Sequence, residues 1–335
     1  MGVQRYTLPS GAVRYRARIK SQGREVAARV FDRKADAVAW EQDQRRRLRL
    51  GEWIDPRRGQ VPLSALAADW LGSRRSVKRR TRESDEAAWR NYICPRFGNW
   101  PVASITAAEV SGWVGSLVAR GLAPSTATRA LATLRSILAF AVADARIQHN
   151  VAAAVRRPTS GHARREGQAL TLDKLRALME ACQGRYRDVV PVLALAGLRW
   201  GELAGLQVGD RVSIPGPGLR LRRTVLASGG GGALYVDTLK SNRGRTVPLV
   251  LDLVPIMDRW SAGRAPDAWL FEAPRGGPLR ESNWKRSVSW SAATAAAGRR
   301  GSGCMICGTP LRRSGSALAP IPRWCSGSWD TPRHR

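Results

Sequence analysis

Acidic residues are scarce in this chain. Asp and Glu number 26 against 56 Lys and Arg, which leaves a formal charge of +30 over 335 residues and a pI near 11.6. The imbalance says nothing about fold, but it favours a polyanionic partner that long-range fields can steer in. Nucleic acid leads, because most of its affinity comes from neutralised phosphates; a membrane surface is the other candidate. Long apolar runs are missing too: none approaches the roughly 18–20 residues of a spanning helix. The start, Met1-Gly-Val-Gln-Arg-Tyr6, has no signal-peptide core. A basic amphipathic helix with a large apolar face is also absent, which disfavours the membrane surface. The five cysteines are odd in number and follow no repeat, which argues against a disulfide scaffold and fits a reduced cytoplasm. Tyrosine runs out early. Tyr6, Tyr15, Tyr92, Tyr186 and Tyr235 all precede Lys240, and the one histidine after Lys240 is His334.

The length suits two or three domains, each with its own core. Up to Gly59 the chain alternates, in Val13-Arg-Tyr15-Arg-Ala-Arg-Ile19 and again from Glu25 to Phe31. Period two around a turn at Ser21–Gly23 predicts a hairpin or three-stranded sheet, and a helix is expected over 33–49. Arg14, Arg16 and Arg18 alternate with apolar positions, as a DNA-facing strand would; a merely solvated sheet face is the plainer alternative. Asp55-Pro-Arg-Arg-Gly59 is turn-rich and marks a boundary.

Over 61–157 the apolar spacing is helical throughout. Helices are expected from Leu63, over 81–93 with a stop before Pro95, after the capping box Thr106-Ala-Ala-Glu109, and from a Ser125 cap to about Ala145. The basic loop carrying Arg75, Lys78, Arg79 and Arg80 is either a DNA contact or a solvated face. Residues 158–168 are polar, basic and without period, so they read as a linker.

The most informative stretch runs from Val192 to Leu249. It opens with Gly197-Leu-Arg199-Trp-Gly-Glu202-Leu and closes with Leu239-Lys240-Ser-Asn-Arg243-Gly-Arg245-Thr-Val247-Pro-Leu249. An arginine in an apolar run is costly to bury unless paired or given an anionic ligand, and Glu202 lies one helical step away, on the same face. The region between is expected to hold three short antiparallel strands, with Lys240 in the turn before the third. Gly229–Gly232 reads as a hairpin turn rather than a phosphate loop, because no Lys-Ser/Thr and no helix follow it. Further helices are expected over 253–260 and 282–297.

These two boxes, in order and roughly forty residues apart, resemble the tyrosine recombinases, the phage-integrase family. The resemblance covers roughly residues 10–297. It implies a mainly α fold with small antiparallel β-sheets (α+β): an arm-type DNA-binding module over 1–59, a helical core-binding domain over 61–157 and a catalytic domain over 169–298. It implies strand cleavage and rejoining of double-stranded DNA through a 3′-phosphotyrosyl link, by a homo-oligomer assembled on DNA in intact relatives. Arg199 would grip the phosphate bidentately with Glu202 supporting it, Lys240 would be the general acid, and Arg243 and Arg245 would help hold DNA. No metal or nucleotide cofactor is expected, since bond energy is conserved in the phosphotyrosine, and the site of action would be the cytoplasm, at the nucleoid.

The family also needs a His-x-x-Arg box, a Leu-Gly-His box and the tyrosine, and the chain has none of them after Lys240. His162-Ala-Arg-Arg165 spells the first box but lies in the linker. From Gly301 helical periodicity stops. When Gly303–Pro310 is reverse-translated and each codon's last base is grouped with the next two, one reading is Val-His-Asp-Leu-Arg-His-Thr. The same regrouping of Arg323–Thr331 gives Val-Val-Gln-Arg-Ile/Leu-Leu-Gly-His-Ala. Both missing boxes thus sit in one shifted frame, in order. The expectation is a frameshift near 297–301 that leaves 299–335 non-native and the chain able to bind DNA but not to cut it. The rival reading is a non-catalytic DNA-binding or regulatory protein whose Cys304, Cys307, Cys325 and His334 bind zinc. The loose spacing and intervening prolines count against that.

Overall fold

The computed structural model describes residues 2–21, 24–51, 53–159, 171–240 and 243–298. The chain forms two compact units, 1–163 and 164–335. Most of the linker segment and all of the expected non-native tail fall outside the described residues.

The first unit begins with an antiparallel sheet of β1 (Val3–Thr7), β2 (Val13–Ser21) and β3 (Arg24–Phe31), in that order. Strand β1 is an addition to the alternating segments noted above; it is short and half polar, so its period is weak. Helix α1 (Lys34–Arg49) packs beneath the sheet. Ala17 and Ile19 of β2 and Ala37 of α1 are buried there, and Phe31 meets Trp40 at 5.9 Å between ring centroids.

A bundle follows: α2 (Leu63–Ser73), α3 (Arg79–Ala88), α4 (Cys94–Phe97), α5 (Ala107–Ala119) and α6 (Pro124–Ala143). The expected stop before Pro95 does not occur. Trp89–Ile93 forms one π-helical turn that runs directly into α4, with Pro95 in the first turn of α4. A widened turn relieves the clash between a proline ring and the preceding carbonyls, so the proline is absorbed rather than ending the helix. Ser125 is not the cap of α6 either; Ala123 holds that position and Pro124 opens the helix, its fixed φ suiting the first turn. The Thr106–Glu109 capping box does form, with Thr106 Oγ1 accepting from the Glu109 N–H and Glu109 accepting from the Thr106 N–H, both at 3.3 Å. Thr106→Ala is expected to cost about 1 kcal/mol of stability, read as a lowered midpoint of urea unfolding.

By length and composition α6 could cross a membrane. Its Leu131, Leu134, Ile137 and Leu138 are instead fully buried with Leu63, Leu66 and Phe97 in the bundle core. Asp85 is buried beside that core. It accepts from Thr133 Oγ1 at 3.1 Å and pairs with Arg129 at 2.5 Å and Arg74 at 2.9 Å. A buried carboxylate needs such company, and the basic loop is thereby tied to α6.

The second unit holds α7 (Leu172–Ala181), α8 (Val189–Leu195), α9 (Trp200–Ala204), β4 (Arg211–Val212), β5 (Gly218–Leu221), β6 (Arg223–Ala227), β7 (Leu234–Thr238), β8 (Arg245–Pro248), α10 (Val254–Ser261), α11 (Glu281–Ser287) and α12 (Trp290–Ala296). Thr171 caps α7, its side-chain oxygen accepting from the Lys174 N–H at 3.3 Å. Two other expectations change. The first of the three expected strands is split at Arg222 into β5 and β6, and the strands form two sheets: β4-β5-β8, and the hairpin β6-β7. Strand β8 therefore pairs with β5 and not with β7. The single helix expected over 282–297 breaks into α11 and α12 at Ser289, whose φ is 52°. Trp284 is fully buried, with Trp200 and Trp290 each 5.0 Å from it between ring centroids.

Candidate functional site

Arg199 is not inside a helix. Helix α8 ends at Leu195, Gly197 turns left-handed with φ 63°, and Arg199 occupies the cap position of the new helix α9. A non-glycine side chain would strain at that φ, so Gly197 is what allows the break. The cost of burying a lone cation never arises, because the Arg199 side chain is 63% exposed.

Glu202, three residues on, is the fixed point. It is 3% exposed, and its two oxygens receive four hydrogen bonds. The Arg199 backbone N–H donates to Oε2 at 3.0 Å and Arg199 Nη1 to Oε1 at 3.0 Å. From β8, Arg245 Nη1 donates to Oε1 at 2.9 Å and Nη2 to Oε2 at 2.8 Å. Burial alone would push the Glu202 carboxyl up, but these donors outweigh it and hold it below its ordinary value of 4.5. The carboxylate stays charged, and two arginines converge on it from different elements.

Arg245 was expected to face DNA. Both of its terminal nitrogens are instead spent on Glu202, which leaves it a brace between β8 and α9. On Arg199, Nη2 and Nε make no hydrogen bond among the described residues. That half of the fork is open to an anion.

The approach of α9 to the hairpin depends on two glycines that the sequence reading passed over. A Cβ at Gly201 would lie 2.4 Å from Thr224 Oγ1 and 2.8 Å from the Val225 carbonyl oxygen, and one at Gly205 would lie 2.9 Å from the Arg223 carbonyl oxygen. Their spacing of four puts Gly201 of α9 and Gly205, its C-cap, on the same side, a signal that was present in the sequence. Gly201→Ala is expected to push α9 off β6 at a cost of roughly 1–3 kcal/mol, measurable by chemical unfolding. The buried Asp210 was also missed. Arg223 of β6 donates to it at 2.7 Å and to the Gly205 carbonyl at 3.2 Å, closing the far end of α9.

Lys240 follows β7. Its neighbour Leu239 is buried, whereas Lys240 is exposed and makes no hydrogen bond or ion pair with a described residue. Arg243, also exposed, lies two residues before Arg245. At the other end of the hairpin Arg280 donates to the carbonyls of Gly231 and Gly232 at 2.9 and 2.7 Å, which fixes the glycine turn.

In the first unit Arg14, Arg16 and Arg18 share one face of β2, opposite the buried Ala17 and Ile19. Arg14 pairs with Asp32, Arg16 with Glu25 at 3.1 Å, and Arg18 donates to Gln4 at 2.5 Å. Arg75 and Arg80 are exposed and Lys78 is half-buried on the loop into α3, where Arg79 pairs with Glu83 at 2.9 Å. No group of three or more His, Cys, Asp or Glu side chains able to hold a metal occurs among the described residues. Cys304, Cys307, Cys325 and His334 lie outside them.

Residues 63–158 match the phage integrase central domain, and residues 168–302 match the phage integrase family. The tyrosine recombinase XerD of Mycobacterium leprae is 31% identical over 238 residues, 66% of this chain and 70% of that protein. The integrase of Mycobacterium phage D29 is 29% identical over 273 residues, covering 78% and 71%. The chain belongs to the tyrosine recombinase family. It spans 62% of the prophage phiRv2 integrase of Mycobacterium tuberculosis, to which it is 30% identical. Among solved structures, the Tn1549 transposon integrase in complex with a circular intermediate DNA superposes with a TM-score of 0.58 at 19% identity, covering 71% of this chain and 84% of that one. A lambda integrase tetramer bound to a Holliday junction gives 0.55 at 18%, covering 89% and 85%. At such identities the likeness is one of fold, and the recombinase fold matches the α+β class read from the sequence.

Proposed function

We propose that this chain is an integrase-type recombinase of double-stranded DNA that retains the phosphate-gripping half of its site and lacks the nucleophile. The observation that carries the reading is the exposed guanidinium of Arg199 anchored through one edge on the buried Glu202, with its other edge open. Arginine's planar fork suits two non-bridging oxygens of a phosphodiester. Held by a carboxylate that is itself braced by Arg245, it is oriented before substrate arrives, and preorganised charge of this kind stabilises the oxyanions that build up during attack at phosphorus.

In the reaction so proposed, a tyrosyl oxygen attacks phosphorus and the bond to the 5′-oxygen breaks. The leaving oxygen takes a proton from Lys240, and a 3′-phosphotyrosyl link remains. Lys240 suits the part of the acid because it is an exposed amine on a short connection whose flanks, Leu239 and Arg245, are anchored. Residues 303–331, reread in the shifted frame, supply the His-x-x-Arg and Leu-Gly-His boxes that the chain otherwise lacks. The nucleophile's codon then lies beyond Arg335. As translated, the chain binds duplex DNA through the faces of Arg14, Arg16 and Arg18, of Arg75, Lys78, Arg79 and Arg80, and of Arg243, in the cytoplasm at the nucleoid. It completes no strand cleavage, and its assembly into a homo-oligomer on DNA is impaired.

The test is a titration of the full chain with duplex DNA at several salt concentrations. Affinity is expected to fall steeply with salt, with a log–log slope of about −0.9 per phosphate contacted, while denaturing gels show no covalent protein–DNA adduct. Salt-independent or absent binding would overturn the DNA reading, and a covalent adduct would overturn the missing nucleophile.

A further inference from the structure

The sheet of the first unit has a second basic feature, off the face that carries Arg14 and Arg16. At the corner where β1 begins, a cavity of about 660 Å³ is lined by Gly2, Arg18, Lys20, Gln42, Arg45 and Arg49, with Leu48 beneath. Two strand cations and two helix cations meet there. Among the described residues the only carboxylate paired with any of them is Glu41, which takes Arg45 through Nη2 at 2.8 Å and Nε at 2.9 Å. Lys20 and Arg49 have no ion-pair partner among the described residues, so the corner keeps a surplus of positive charge.

Two features of the backbone keep this corner open and aimed. The pairing of β2 with β3 shifts register between Ile19 and Lys20; a bulge of this kind re-aims the side chain that follows it. Gly2 stands where any side chain would intrude. A Cβ there would lie 2.7 Å from the Arg18 carbonyl oxygen and 2.2 Å from Glu41 Oε1, and the first of these is backbone that cannot give way cheaply.

We propose that this corner is a phosphate-binding site that grips a backbone phosphodiester of duplex DNA. The inference rests on the DNA-binding reading above and adds a site to it. Two antiparallel strands about 4.8 Å apart fit a major groove about 12 Å wide, which admits a two-stranded ribbon, and β1 and β2 form such a pair at this end of the sheet. A sheet seated in that groove meets a phosphate backbone along its margin. Arg18 belongs both to the sheet face and to the corner, so the two contacts adjoin. Lys20 and Arg49 supply the uncommitted charge, and Arg45, steadied by Glu41, borders it.

The experiment compares salt titrations of a short duplex by the full wild-type chain, by Lys20→Gln/Arg49→Gln and by Arg46→Gln/Arg47→Gln. The last pair removes the same charge from α1 outside the corner. The corner variant is expected to lower the log–log salt slope by about 0.9 for the one phosphate lost, with the control keeping the wild-type slope. Lys20→Arg/Arg49→Lys, which keeps the charge, is expected to restore the slope, and this separates a lost contact from a folding defect. Equal slopes in the two Gln variants, or no rescue, overturn the site while leaving the DNA reading intact. Inorganic phosphate competing at millimolar levels, with the Gln variants unchanged on DNA, would assign the corner to a free anion and also overturn the proposal. A wild-type chain with no salt-dependent binding overturns both.

Discussion

Glu202→Ala is expected to destabilise the second unit by about 3 kcal/mol and to weaken its hold on DNA more than any loss of a single surface cation would. The substitution removes the carboxylate that receives all four hydrogen bonds described above. Removing one partner of a buried pair costs roughly 3–5 kcal/mol where the other is left buried and unpaired. Here the low end applies, because Arg245 and Arg199 are 37% and 63% exposed and water can reach them. Glu202→Gln, which keeps the shape but loses the charge, is expected to fall between alanine and wild type. The pH dependence follows from the same contacts. The folded-state carboxyl is held below its ordinary value of 4.5, so Glu202 contributes stability that is complete above that value. The contribution is lost as pH falls through the folded value. Unfolding midpoints measured from neutral pH down to about pH 3 should therefore drop less steeply for Glu202→Gln than for wild type. Parallel curves would mean that the carboxylate is not the brace described.

The largest effect expected of any change is a gain. Restoring the shifted frame from about codon 297 is expected to convert a chain without detectable strand cleavage into one that forms a covalent 3′-phosphotyrosyl adduct. The acceleration over uncatalysed phosphodiester cleavage should be at least about a million-fold, the lower range for enzymes generally. The reason is chemical. In the proposed reaction Arg199 neutralises charge on the phosphate and Lys240 protonates the leaving oxygen, but neither replaces a positioned nucleophile. In the repaired chain Arg199→Ala is expected to lower the cleavage rate by about 10²–10³ or more, as for loss of one preorganised donor to a developing oxyanion. Lys240→Ala should be rescued in part by a substrate whose leaving group needs no proton. A repaired chain that cuts equally well without Arg199 would remove that residue from the chemistry.

Much of this organisation was legible because it depends on short-range signals. The Thr106–Glu109 box and the Thr171 cap are local devices, and each forms where its spacing puts it. The Arg199 and Lys240 boxes could be found because each is a compact run of side chains. What could not be read depended on backbone geometry or on partners distant in sequence. The helix break before Arg199 depends on Gly197 adopting φ 63°, and the break at Ser289 on a non-glycine residue at φ 52°, which tertiary packing imposes against preference. The π turn before Pro95 hides a helix continuation behind a residue that normally ends one. The split of the expected strand at Arg222 follows from Arg223 turning inward to Asp210, thirteen residues back. Arg245 reads as one more cation in a basic turn until Glu202, 43 residues away, is seen to claim both of its terminal nitrogens.

In the proposed function a phosphate-gripping site built around Arg199, Glu202 and Lys240 is separated from its nucleophile by a shift of frame. The decisive measurement is the gene sequence from the codon for Trp290 to well past the codon for Arg335. The shifted frame is expected to spell His-Asp-Leu-Arg-His-Thr, then Leu-Gly-His, then a tyrosine. A shifted frame that fills with stop codons and unrelated residues would contradict it and make the C-terminal residues native.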